Sequence, residues 1–199
     1  MLYVKLIFPK RALTVILLSM LSMGFLSVSA ARKKPVQKIK VACVGNSITY
    51  GTGIQDREHF SYPVQLQKML GDKYLVGNFG KPGATLLNHG HRPYMKQEEY
   101  KQAMAFKGDI AVIHLGINDT DPRNWPNYRD EFVKDYLSLM DSLRSANPKV
   151  RFILACMTPI ADRHPRFISG TKQWHDEIQE AIKVVARVSG AELIDFHAP

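Results

Sequence analysis

Gly45-Asn46-Ser47-Ile48-Thr49-Tyr50-Gly51 follows directly on the run Ile39-Lys40-Val41-Ala42-Cys43-Val44. A short apolar, β-rich run that stops at a glycine reads as a buried strand ending in a tight turn. A serine placed there can be held exposed at the strand's carboxyl end, as a nucleophile elbow holds its hydroxyl. The turn is not the G-x-S-x-G of the α/β-hydrolases, because Thr49 replaces the second glycine. It is no phosphate loop either, since neither G-x-x-x-x-G-K-[ST] nor G-x-G-x-x-G is present. The plain alternative is that Ser47 merely caps the next helix.

Outward from this turn, short apolar runs alternate with longer amphipathic ones. Tyr74 to Phe79, Asp109 to Leu115, Val150 to Cys156 and Ala191 to Asp195 read as further strands. Tyr62 to Leu70, Tyr94 to Phe106, Arg129 to Ala146 and Thr171 to Val188 read as helices. Asp109 to Leu115 is almost wholly apolar, as suits a strand covered on both faces. The alternation predicts a three-layer αβα domain around a five-stranded parallel sheet, the flavodoxin-like arrangement. In such sheets ligands bind at the carboxyl ends of the strands. Attention therefore falls on the loops that begin at Gly45, Gly80, Gly116, Met157 and Phe196.

The second loop, Asn78-Phe79-Gly80-Lys81-Pro82-Gly83, lets backbone approach a ligand closely and offer its N–H groups. In the third, Gly116-Ile117-Asn118-Asp119, an asparagine can aim its amide at a developing oxyanion. Each of these alone is an ordinary turn or helix cap. Taken in order, GNSITYG, NFGKPG and GIND resemble the first three blocks of the SGNH (GDSL-like) hydrolase family. The resemblance implies Ser47 as nucleophile, with an oxyanion hole made of the Ser47 N–H, the Gly80 N–H and the Asn118 side chain. It implies an esterase that needs no metal and no organic cofactor. Asn46 stands where the family usually has Asp, keeping the hydrogen bonds without the charge.

The family's last block, an Asp-x-x-His carrying the general base, has no match. Asp195-Phe196-His197 is one residue short in spacing. The expectation is therefore of a domain spanning 39–199 whose base lies beyond Pro199 and which turns over poorly by itself. His164 and His197 are the fallback bases, since both follow strands on the side of the sheet that carries Ser47. His114, inside a strand, is expected to be a satisfied core residue. The stretch GINDTDPRNWPNYRD gives the chain its resemblance to exported bacterial carbohydrate O-acetylesterases, including sialate O-acetylesterase-like proteins with a second esterase domain downstream. Acetylated sialic acid and acetylated plant glycan both fit. Trp125, His91 and Arg92 are the candidate substrate contacts. The rival readings are a lipase, lysophospholipase or thioesterase on the same fold, a non-catalytic glycan-binding module, and a flavodoxin-like nucleotide binder. The missing phosphate loop disfavours the last.

The ends of the chain carry most of its charge. Residues 1–30 have Lys5, Lys10 and Arg11, an uncharged run from Ala12 to Ala30, and a Val28-Ser29-Ala30 exit, which predict a cleaved signal peptide and export to the periplasm or beyond. An uncleaved anchor is the alternative, and any membrane contact is expected only through this leader. Arg32, Lys33, Lys34 and Lys38 form a basic linker over 31–38. These segments and Lys40 supply nearly all of the +9 net charge. The folded body is almost neutral, so nucleic acid is not an expected partner; a small-molecule or glycan ester is. Cys43 and Cys156 sit in apolar runs and read as inert core thiols, and no Cys/His cluster suggests a metal.

Overall fold

The computed structural model describes residues 37–160 and 171–196. The expected leader, most of the basic linker, His164 and His197 lie outside the described residues. Five strands form one parallel sheet in the order β2-β1-β3-β4-β5, with β1 Ile39–Gly45, β2 Tyr74–Gly80, β3 Ile110–His114, β4 Arg151–Ala155 and β5 Glu192–Ile194. Gly45 pairs in register with Gly80 on one side and His114 on the other, so β1, β2 and β3 end together.

The helices are α1 Ser47–Tyr50, α2 Arg57–Phe60, α3 Tyr62–Leu70, α4 Glu98–Phe106, α5 Trp125–Tyr128, α6 Phe132–Ala146 and α7 Thr171–Ser189. One face of the sheet carries Ala42, Val44, Phe79, Ala111, Ile113 and Leu154 into the main core, where α4, α6 and α7 meet them. α6 contributes Phe132, Tyr136, Leu139, Met140 and Leu143, spaced on one side of the helix. Burying each such side chain stabilises the fold by about 1.5–3 kcal/mol. α3 packs on β2 from the opposite face, where the Tyr62 hydroxyl lies 3.2 Å from Thr49 Oγ1. Cys43 and Cys156 are buried and free, and burial pushes the Cys43 thiol up to about 12. Among the described residues no helix is long and apolar enough to cross a membrane.

Two expected helices begin later than their apolar spacing suggests. Tyr94–Lys96 is a 3-10 turn, and Gln97 is extended before α4 starts at Glu98. The Tyr94 hydroxyl donates to the Phe79 carbonyl at 2.7 Å, which ties this turn to the sheet rather than to the helix. Arg129–Glu131 is likewise 3-10, and α6 proper starts at Phe132.

Candidate active site

Ser47 is the first residue of α1, and the cap is not its own hydroxyl. Asn46 caps the helix, its Oδ1 accepting from the Ile48 N–H at 3.0 Å. Asn46 is 1% exposed, whereas Ser47 is half-buried, and its hydroxyl has no hydrogen-bond partner among the described residues. The bland reading of Ser47 as a helix cap therefore falls to its neighbour. The Ser47 N–H, in the first turn, is one of the donors that a helix cannot satisfy internally.

Gly80 lies against this short helix. A Cβ placed there would sit 2.2 Å from the Tyr50 nitrogen and 2.7 Å from the Thr49 carbonyl carbon, so only glycine fits. Its N–H donates to Asn78 Oδ1 at 3.0 Å, and the Lys81 N–H crosses to the Gly45 carbonyl at 2.9 Å. To serve an oxyanion, the Gly80 N–H must be shared with Asn78 or released from it. The loop then runs to Ala84, whose carbonyl accepts from Asn118 Nδ2 at 2.9 Å. Asn118 is carried by a 3-10 turn, Ile117–Thr120, which opens at Gly116 with φ +127°. A side chain at Gly116 would be strained there and would meet Met157 Sδ at 2.9 Å. An unbroken path of contacts thus joins α1, Gly80, Ala84 and Asn118 along one rim of the sheet.

Comparison with known proteins bears on what this rim is. The model of the GDSL-like lipase/acylhydrolase family matches residues 43–199. The chain belongs to the GDSL-like lipase/acylhydrolase family. It is 42% identical over 176 residues to an acetylxylan esterase of Xylanibacter ruminicola, a match covering 80% of this chain and 36% of that protein. The chain thus spans little more than a third of the length of this curated relative. In fold it is similar to the acetyl xylan esterase AlAXEase, with TM-score 0.59 at 20% identity over 79% of this chain and 77% of the other. It is also similar to AlinE4, an SGNH-hydrolase family esterase, with TM-score 0.57 at 18% identity over 80% and 77% of the two chains. The three-layer, five-stranded parallel architecture expected from the strand pattern is that of these SGNH hydrolases.

Around the GDSL-like rim, the expected substrate contacts divide. Trp125 is corrected: it is 4% exposed, lies edge-on to Phe132 at 5.4 Å between ring centres, and donates its indole N–H to Glu177 at 2.6 Å. Pro126 follows it in the first turn of α5, and burial leaves the ring no open face for a sugar. His91 and Arg92 do lie on the loop that carries Ala84, and both are exposed. The His91 N–H donates to Asn124 Oδ1 at 3.0 Å, and Arg92 Nη1 donates to the Pro82 carbonyl at 3.1 Å. His114 is buried as expected, but its Nε2 has no partner among the described residues and its ring meets Phe196 edge-on. Burial holds its pKa down at about 4.

Asp119 was not singled out by the sequence. It is fully buried, and its carboxylate accepts the N–H groups of Leu86 and Leu87, each at 2.9 Å. Burial raises its pKa to about 7, against the lowering effect of these bonds; the nearby Asp135 charge raises it further. Its adjacency to Asn118 in GIND was the one available signal.

Proposed function

We propose that this protein is a serine esterase that removes acetyl groups from carbohydrate, with acetylated xylan as its substrate class. The observation that carries the reaction is the hydroxyl of Ser47, half-buried at the start of α1 and without a hydrogen-bond partner among the described residues, on the rim of the sheet that also carries Gly80 and Asn118. The resemblance to an acetylxylan esterase supports the choice of acyl group and glycan. Ser47 Oγ attacks the ester carbonyl carbon and passes its proton to a histidine base. The carbonyl oxygen becomes an oxyanion held by the N–H groups of Ser47 and Gly80 and by the Asn118 amide. Collapse breaks the bond to the sugar oxygen, which takes the proton back. Water then attacks the acetyl-serine, and acetate leaves. His164 and His197 remain the candidate bases within this chain. Residues 1–30 support export, which would place the enzyme where polymeric glycan is met.

Acetate release from acetylated xylo-oligosaccharides by the full-length protein tests this reading. Release abolished by Ser47→Ala, with long-chain p-nitrophenyl esters cleaved poorly, is the expected result. Preference for long acyl chains would favour a lipase, and glycan binding without hydrolysis would favour a binding module.

A further inference from the structure

Asn118 and Asp119, consecutive in the chain, both reach across to the loop that follows Gly80. Asn118 Nδ2 donates to the Ala84 carbonyl at 2.9 Å, and the Asp119 carboxylate takes the Leu86 and Leu87 N–H groups at 2.9 Å each. Asn124 closes the ring from the other end. Its Nδ2 donates to the Asn118 carbonyl at 2.9 Å, and its Oδ1 accepts from the His91 N–H at 3.0 Å. Ala84, Leu86, Leu87, Asp119 and Asn124 are each at most 1% exposed, so water is kept from the bonds of Asp119 and Asn118 and from that of Asn124 to the Asn118 carbonyl. The side chains of Asp119 and Asn124 fall outside the proposed chemistry, and neither is placed against the reacting atoms.

We propose that Asp119 and Asn124 are positioning residues that clamp the loop 84–91 onto the Ile117–Thr120 turn and so aim the Asn118 amide at the oxyanion. The proposal rests on reading Ser47 and Asn118 as nucleophile and oxyanion donor. An oxyanion donor contributes only if its direction is set before the charge develops. The Asn118 side chain has two torsions to fix, and the Ala84 carbonyl fixes them only while Ala84 itself stays in place. Asp119 supplies that constraint two residues further along. An asparagine at 119 has the same shape but one acceptor oxygen, so its NH₂ would face a backbone N–H.

The test is a double-mutant cycle on acetate release by the full-length protein. Asn118→Ala is expected to lower kcat by about 10²–10³-fold. Asp119→Asn is expected to lower kcat about tenfold with KM changed less than about twofold, and to cost nothing further in the Asn118→Ala background. Equal losses from Asp119→Asn in both backgrounds, or a rise in KM with kcat unchanged, would overturn the positioning role. Thermal melts show whether each variant folds. If Asp119→Asn does not, Asn124→Ala carries the same cycle with the same two outcomes. Hydrolysis that survives Ser47→Ala would instead sink the reading of the site itself, and the positioning role with it.

Discussion

Asp119 and His114 are both buried, and burial moves their titrations in opposite senses because one is charged when deprotonated and the other when protonated. The Asp119 pKa rises to about 7 from an ordinary 3.8. Between these values the folded chain holds a proton that the unfolded chain releases, so this group makes stability fall as pH rises from about 4 to 7. The His114 pKa drops to about 4 from 6.5. There the unfolded chain holds the extra proton, so this group makes stability rise over nearly the same window. Each slope approaches about 1.4 kcal/mol per pH unit, and the two oppose each other. Asp119→Asn should therefore lose stability relative to the parent as pH falls from 6.5 to 4.5, and His114→Leu should gain it. Urea denaturation at a series of pH values measures both. Parallel pH profiles for the parent and both variants would contradict this balance.

α1 is one turn long, too short to hold itself together by its own hydrogen bonds. Its start is set by Asn46, and its far end is pressed against Gly80. Removing a helix cap of this kind costs about 1 kcal/mol. Because the capped turn carries Ser47, the effect on turnover should exceed the effect on folding. Asn46→Ala is expected to lower the unfolding free energy by about 1 kcal/mol and kcat by more than the roughly fivefold that such an energy represents. Asn46→Asp, which keeps the acceptor and adds a charge that suits a helix N-terminus, should retain both. Urea titration beside steady-state kinetics reads the two effects. A normal kcat in a destabilised Asn46→Ala protein would detach the cap from catalysis.

At the scale of the whole molecule, the sheet was legible because its strands are short, mostly apolar runs, three of them closed by glycine: Val44 before Gly45, Phe79 before Gly80 and Leu115 before Gly116. Parallel order followed from the alternation with helices, and the shared rim of three loops followed from parallel order. What stayed hidden depends on residues brought together from far apart in sequence. Asp119 meets Leu86 across 33 positions, and Trp125 meets Glu177 across 52, with no local spacing to announce either bond. Trp125 therefore read as a candidate substrate contact, and Asp119 as part of a turn. The 3-10 starts at Tyr94 and Arg129 were missed for a similar reason, since the apolar period continues through them while tertiary bonds such as that of Tyr94 to Phe79 decide the backbone.

The central claim is that Ser47 is a nucleophile facing preset oxyanion donors. A p-nitrophenyl alkylphosphonate tests it directly, because its adduct is tetrahedral and negatively charged like the proposed intermediate. Intact-mass analysis and peptide mapping of the full-length protein should show a single adduct on Ser47. It should form about 10²-fold more slowly in Asn118→Ala. No adduct, or one on another residue that persists in Ser47→Ala, would contradict the account.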